Sequence, residues 1–498
     1  MAKYRTTEAA VGQGLFLNVY LKEQLLPGTF EHMLDRLIGT EISTEIFDQN
    51  YRNDTTGASA VPPDVLLKLI IYGYSKGYIS SRGLYELNKN NIVAKALSGD
   101  MDIHWTTIAS FIAKNSEAFK DVFKAVLFFC NELGLIGGET FGVDGLRLPS
   151  NASIEKSGTK AQLEKRLEMY QRMAEKHLER HQSKDTLGEV DEHKEKLFNE
   201  RQKDLANQIT SLSGFLKDMQ PKAGKGGQEL QSNVTDNESA MIKSAKGFIQ
   251  GYIGIAVSDA KNQVITSAQA VGTANEGEHL PDLLDTNTEN LQAAGVQALA
   301  AGNQPVVLAD ANYFSEDNLQ ACAARGIAAV ISDGRGNQSH SQPIDSFTYN
   351  ADGDYYTCPA GKQLGYKYDA TLRNGAVKVY QGSLTDCRQC ACFSTCSKSK
   401  KNQSEITQGR KVLVRSTNEP ESQCAQMRGK LKTAKYQEQY SRRIQIIEPV
   451  FANIGYCKGM DRFTLRGKEK VNGQWQLYCI VHNLGKCMNE LNIRGNAA

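Results

Sequence analysis

The stretch Thr140-Phe-Gly-Val-Asp144-Gly145 is a short apolar run that ends in a carboxylate, and Pro305-Val-Val-Leu-Ala-Asp310 repeats this pattern far downstream. Short apolar runs bounded by turn formers predict buried strands. A third stretch, Tyr440-Ser-Arg-Arg443-Ile-Gln-Ile-Ile-Glu448-Pro-Val-Phe451, predicts a helix with one carboxylate among basic and aromatic side chains. We therefore expect Asp144, Asp310 and Glu448 to converge in one acidic pocket.

Three converging carboxylates suit a pair of Mg²⁺ ions, for which Mn²⁺ can substitute, because hard cations prefer oxygen ligands. Two such ions can activate both the attacking and the leaving oxygen of a phosphodiester. A single aspartate at a strand end is more often a turn former than a ligand. The hypothesis of a nuclease or DNA strand-transfer enzyme therefore depends on the three residues together.

The overall composition indicates a globular protein of about three domains, since the chain has 498 residues, 40% of them hydrophobic and 23% charged. No apolar run approaches the roughly 20 residues that a membrane helix requires. The N-terminus lacks the apolar segment of a secretory signal. We expect a cytoplasmic protein with no membrane partner.

The net charge of +2 is unevenly distributed. Residues 427–498 contain 13 Lys and Arg against 5 Asp and Glu, a net charge of +8, which leaves −6 for the rest of the chain. A basic segment of this kind suits a polyanionic partner, but a solvated basic helix explains the charge equally well. Within it, Tyr440, Arg443 and Lys458 are candidates for contacts to a phosphate backbone.

The order of apolar patterns predicts an α/β protein, with a mixed sheet flanked by helices and an all-helical N-terminal domain. We place the helical domain at residues 1–135, where Pro63 and Ser80 or Ser81 mark helix starts. These helices fit a helix-turn-helix-like module or a plain bundle. The sheet domain covers 136–334 and 426–498, with a strand at 139–144 and a loop at 145–153.

Two insertions interrupt the predicted sheet domain. Residues 155–226 form a helical hairpin with a turn at Thr186-Leu-Gly188, and 335–425 are polar and rich in cysteine. Of the 11 cysteines, five crowd this second insertion, which favours metal binding over disulfides in a cytosolic protein. Cys358, Cys387, Cys390 and Cys396 could hold a structural Zn²⁺, with Cys392 a fifth candidate and unliganded thiols the alternative.

Several motifs resemble those of the DDE transposases of bacterial insertion sequences. They include Pro63-Asp-Val-Leu-Leu-Lys, Gly142-Val-Asp144-Gly145, Leu308-Ala-Asp310-Ala-Asn-Tyr313, the Tyr440 to Phe451 stretch and the cysteine insertion. The resemblance covers nearly the whole chain. It implies an RNase H-like catalytic domain, an InsH-type N-terminal domain, and Asp144, Asp310 and Glu448 as the catalytic residues.

The resemblance further implies a homodimer acting on double-stranded DNA, both transposon ends and target, at the nucleoid. The enzyme would bind terminal inverted repeats, cleave the 3′ ends and join the freed 3′-hydroxyls to target DNA. The alternative is a catalytically inactive DNA-binding protein derived from a transposase. A simple metal-dependent nuclease, which cleaves without joining, is a third hypothesis.

Overall fold

The computed structural model describes residues 19–51, 59–185, 192–224, 226–244, 247–296, 304–334, 346–372, 375–396, 402–414 and 422–496. In this part of the chain, no helix is both long enough and apolar enough to cross a bilayer. The α-helices are α1 (Phe30–Leu37), α2 (Pro63–Ser75), α3 (Ser81–Asn90), α4 (Ile92–Ser98), α5 (Trp105–Lys114), α6 (Ala118–Glu132), α7 (Lys160–Asp185), α8 (Glu192–Asp218), α9 (Leu280–Ala293), α10 (Glu316–Ala324), α11 (Leu384–Arg388), α12 (Phe393–Cys396), α13 (Gln423–Leu431), α14 (Ala434–Phe451) and α15 (Lys468–Asn496).

The strands form one mixed sheet, one antiparallel sheet and two short ladders. They are β1 (Thr140–Pro149), β2 (Ser157–Gly158), β3 (Lys222–Ala223), β4 (Glu229–Leu230), β5 (Ser232–Asn233), β6 (Ala240–Ser244), β7 (Gly247–Asp259), β8 (Ile265–Val271), β9 (Val306–Ala309), β10 (Ala328–Ile331), β11 (Thr348–Asn350), β12 (Tyr355–Thr357), β13 (Gln363–Leu372), β14 (Gly375–Gly382) and β15 (Lys411–Val414).

The N-terminal part of the described chain is helical, as predicted. Pro63 starts α2 at a position where a missing N–H costs nothing, and the Ser80 hydroxyl caps α3 by accepting from the Gly83 N–H. The apolar faces of α2 to α6 enter a hydrophobic cluster that also contains the central sheet and α15. This shared core joins the helices to the sheet.

The mixed sheet has the strand order β10-β9-β1-β7-β6, with β8 also paired to β7. Strand β1 is central, since it pairs in parallel with β9 on one edge and antiparallel with β7 on the other. The parallel register places Val143 opposite Ala309. The next residues, Asp144 inside β1 and Asp310 just after β9, therefore lie side by side at the same level of the sheet. The mixed α/β architecture is consistent with an RNase H-like fold, as predicted.

One prediction about this sheet was wrong. Residues 145–149 continue β1 instead of forming a loop, because they pair in register with Gly251 to Ile255 of β7. Leu148 is buried along this extension, and Pro149 stands at the strand end, where a proline loses no ladder hydrogen bond. The strand β6 was not predicted at all.

The two predicted insertions are present. Helices α7 and α8 pack against each other as a hairpin through a small cluster of Leu163, Leu212 and Met219. The predicted turn at Thr186-Leu-Gly188 lies outside the described residues. In the cysteine-rich region, β11 to β15 form a five-stranded antiparallel sheet with its own small core.

The C-terminal helices cover the central sheet. Helix α14 lies against β1, and Gly142 permits this approach because a Cβ there would be 2.9 Å from Ile446 Cγ2. Pro449 lies inside α14 and removes the N–H that would bond the Gln445 carbonyl. The Gln263 side-chain amide donates to that carbonyl instead, at 2.9 Å. The helix thus continues through the proline into a π-helical turn at Ala452–Cys457.

Candidate active site

The parallel strands β1 and β9 bring Asp144 and Asp310 together, as their strand-end positions predicted. Asp144 Oδ1 accepts from the Gly145 N–H at 2.8 Å, and Asp310 Oδ1 accepts from the Asn312 N–H at 2.9 Å. Burial and, second, the nearby Asp144 carboxylate raise the pKa of Asp310. Each carboxylate is thus held by its own backbone, and the two repel each other.

The third carboxylate beside this pair is Glu276, which the sequence analysis did not single out. Ligand oxygens of Asp144, Glu276 and Asp310 all lie within 4.8 Å of one another, a spacing that a single cation can bridge. Glu276 lies between β8 and a short 3-10 helix at Gly277–His279. In the sequence it belongs to Asn275-Glu-Gly277, which resembles an ordinary polar turn. Only its position after a buried strand could have drawn attention to it.

Glu276 is buried, with 2% of its surface exposed. Its Oε1 accepts from Asn312 Nδ2 at 2.8 Å, whereas its Oε2 has no hydrogen-bond partner among the described residues. Burial and, second, the Asp144 and Asp310 carboxylates together raise the pKa of Glu276 to about 7. Three adjacent carboxylates, one of them with a buried oxygen that has no hydrogen-bond partner, form a set of ligands that fits a hard divalent cation.

Arg443 lies beside this group and partly neutralises it. Its Nη1 donates to Asp144 Oδ2 at 2.7 Å, and its Nη2 is 3.8 Å from Glu448 Oε1. The Arg443 side chain is only 12% exposed. The residue predicted to contact DNA is therefore paired, in this structure, with the first aspartate of the site.

The structure does not place Glu448 in the close carboxylate group. Its side chain is 56% exposed, on α14, and the Arg443 guanidinium lies between it and Asp144. The predicted trio is thus divided: Asp144 and Asp310 are adjacent, and Glu448 borders the pocket. Its catalytic role stays a prediction.

The other two candidates for DNA contact lie at different distances from the pocket. Tyr440 packs, half-buried, against a cluster of Leu308, Val330 and Ile446. A Cβ on Gly485 would be 3.9 Å from Lys458 Nζ, so the Lys458 side chain lies against α15. Burial and, second, the nearby Lys76 lower the pKa of Lys458. Its role in DNA binding also stays a prediction.

The four predicted zinc ligands line one cavity of about 410 Å³. The Lys362 N–H lies 3.4 Å from Cys358 Sγ, and the Arg410 N–H lies 3.3 Å from Cys387 Sγ. Such N–H groups stabilise thiolates. Among the described residues, however, the only three ligating side chains within 4.8 Å of one another are the carboxylates of the acidic pocket. The sulfurs are therefore more widely spread than in a closed zinc site.

The mixed α/β fold and the acidic pocket are consistent with the class of RNase H-like nucleases and DNA strand-transfer enzymes. Residues 357–488 match the family model of the transposase DDE domain, and residues 19–114 match that of a transposase domain (DUF772). These two separate matches support an insertion-sequence DDE transposase. The first match includes Glu448 and the four cysteines. A comparison with curated proteins gave no match.

Proposed function

We propose that this transposase binds the terminal inverted repeats of its element, cleaves their 3′ ends with divalent metal ions and joins those ends to target DNA. The observation that carries the proposal is the parallel register of β1 and β9, which sets Asp144 beside Asp310. The family matches support a transposase in general. The DDE mechanism is our extension of them.

In this mechanism Asp144, Asp310 and Glu448 would hold two Mg²⁺ ions. Bound Mg²⁺ supplies a polarised water or 3′-hydroxyl as nucleophile and stabilises the departing oxygen. The chain itself contributes the fixed placement of Asp144 and Asp310 on two paired strands. Arg443 compensates the Asp144 charge through its hydrogen bond to Oδ2, and with DNA bound it would contact a phosphate. Tyr440 and Lys458 would contact the backbone on either side.

The basic C-terminal segment supports double-stranded DNA as the partner. Residues 427–498 carry a net charge of +8, and Arg443 of this segment borders the pocket. A homodimer that holds two element ends, located with the DNA at the nucleoid of the cytoplasm, completes the proposal. Light scattering of the protein with and without end DNA measures the number of chains in the complex, and we expect two.

The cleavage experiment uses an oligonucleotide that carries the element end, incubated with Mg²⁺. We expect the parent to nick it and Asp144→Asn to bind it without cutting. Glu448→Gln should also lose cleavage, and Glu438→Gln, an exposed carboxylate on the same helix, is its matched control. Binding without cutting by every protein, the parent included, would favour the inactive derivative. Cutting without joining would favour the simple nuclease.

We also propose that Cys358, Cys387, Cys390 and Cys396 hold a structural Zn²⁺. Their shared cavity and the N–H groups directed at two of the sulfurs support this, and Cys392 does not line that cavity. Zinc binding would draw the four sulfurs closer together. Metal analysis of the purified protein should find one zinc per chain, and none would contradict the proposal.

A further inference from the structure

We propose that Glu276 is a direct ligand of the metal ion held between Asp144 and Asp310, so that this ion has three protein carboxylates before Glu448 takes part. The inference rests on the proposed function, because it adds a ligand to the same metal site. It names a residue outside the predicted trio.

The position of Glu276 is fixed toward the aspartates. Asn312 Nδ2 donates both to Glu276 Oε1 at 2.8 Å and to Asp310 Oδ2 at 3.1 Å, which ties the two carboxylates together. Asn318 Nδ2 donates to the carbonyls of Gly277 and Tyr313 and holds the two backbone segments against each other. The Glu276 loop is therefore built onto the Asp310 loop.

The free oxygen of Glu276 lies against β1 at Gly145, the residue after Asp144. A Cβ on Gly145 would be 1.8 Å from Glu276 Oε2, so the absence of a side chain at this position leaves room for the carboxylate. That oxygen is buried and has no hydrogen-bond donor among the described residues. It is thus available for a ligand.

A purely structural role does not account for this arrangement. Arg147 Nη2 is the cationic group near Glu276, but it is 3.6 Å away and its side chain is 39% exposed. A buried carboxylate beside two others is unfavourable unless a positive charge compensates it. One divalent ion bound by Asp144, Glu276 and Asp310 would compensate the buried Glu276 charge and remove the repulsion between the carboxylates.

The test measures Mn²⁺ binding by calorimetry in the full chain without DNA. Mn²⁺ prefers oxygen ligands, so the cysteine cavity does not compete for it. Glu276→Gln should bind Mn²⁺ at least about tenfold more weakly, since even outer-shell partners of metal sites contribute that much. Glu276→Asp keeps the charge but shortens the side chain, and should also bind more weakly. Glu278→Gln, exposed and two residues away, should bind as the parent does.

Melting temperatures provide the second readout. Without metal, Glu276→Gln should melt no lower than the parent, because it removes a repelled buried charge. With saturating Mn²⁺ it should gain less than the parent. A metal-free Glu276→Gln that melts well below the parent would indicate a structural role and overturn the inference.

Asp144→Asn separates failure of this inference from failure of the proposed function. If Asp144→Asn loses Mn²⁺ binding while both Glu276 variants keep parental affinity, Glu276 is not a ligand and the proposed site stands. If the parent itself binds no Mn²⁺, or Asp144→Asn binds it unchanged, the proposed metal site fails and Glu276 with it.

Discussion

At the scale of single residues, Arg443 occupies the place beside Asp144 that a cation would take. Its charged hydrogen bond to Asp144 must be broken before a metal ion can bind there. Bonds of this kind contribute about 1.5–3 kcal/mol. Arg443 therefore competes with the metal.

Replacing Arg443 by glutamine should strengthen Mn²⁺ binding in the absence of DNA by roughly tenfold, as removal of a competing charged hydrogen bond implies. It should weaken binding of end DNA, because a phosphate contact is lost. Calorimetry and gel-shift titration measure the two effects. Arg442→Gln, at the exposed neighbouring position, is the control. Weaker Mn²⁺ binding by Arg443→Gln would show that the arginine supports the metal site instead of competing.

His482 makes stability depend on pH. It is buried, and its Nε2 lies 2.9 Å from the Gln263 carbonyl. Burial lowers its pKa to about 4, although the bond to Gln263 opposes this. The unfolded chain, with an ordinary histidine pKa of about 6.5, therefore binds the proton more readily, so stability is lost as pH falls from about 6.5 to 4.

The free energy of unfolding should accordingly fall by up to about 3 kcal/mol across this window because of His482 alone. Urea unfolding at pH 7 and pH 4 measures it. His482→Gln should reduce this pH dependence, whereas His104→Gln, at an exposed position, should keep it. Equal pH dependence in His482→Gln and the parent would contradict the assignment.

At the scale of elements, the antiparallel sheet β11 to β15 has little core of its own. Its buried cluster contains Phe347, Tyr356, Leu364, Tyr380, Val412 and Val414. A core of this size stabilises a folded sheet only weakly unless a structural metal or a disulfide adds to it. The proposed zinc would add this stabilisation, because the free energy of metal binding at such a site contributes to the free energy of folding.

Chelation of zinc should therefore make residues 346–414 sensitive to protease while the central sheet stays resistant. Cys387→Ser should have the same effect without chelator. Cys457→Ser, which changes an exposed cysteine outside this sheet, should behave as the parent does. Mass spectrometry of limited digests identifies the cleaved region. Resistance of 346–414 in both the chelated parent and Cys387→Ser would rule out a structural zinc.

The elements also show what sequence alone could reveal. Apolar periodicity located most helices and strands, and the strand-end positions of Asp144 and Asp310 pointed to the pocket. The full length of β1 could not be predicted, because residues 145–149 become a strand only through pairing with β7. Glu276 was missed for a similar reason: its role depends on packing against residues far away in the sequence.

At the scale of the whole molecule, α15 connects the helical region with the sheet. It packs against α6, α2 and α5 on one side and against β8 on the other. Trp475, fully buried on this helix, donates from Nε1 to the Ile255 carbonyl at 2.9 Å. The N-terminal helices should therefore unfold together with the sheet.

Trp475→Ala should destabilise the protein by about 3–5 kcal/mol, as expected for deleting a large buried aromatic side chain. Trp475→Phe should cost less. The chain has two tryptophans, so in both variants fluorescence reports only from Trp105, among the N-terminal helices. Its urea midpoint should be lower in Trp475→Ala than in Trp475→Phe. Identical midpoints would mean that the helical region unfolds independently, as a separate domain.

The proline in α14 removes one main-chain hydrogen bond directly beside the pocket's outer carboxylate. Glu448 immediately precedes Pro449, which has no N–H to donate to the Gln445 carbonyl. The Gln263 side-chain amide donates to that carbonyl instead. A bend at this point strains one main-chain hydrogen bond fewer than a bend elsewhere in the helix. The turn that carries Glu448 is therefore the part of α14 that bends most easily toward the strand-borne aspartates, while β1, paired along both edges, stays still.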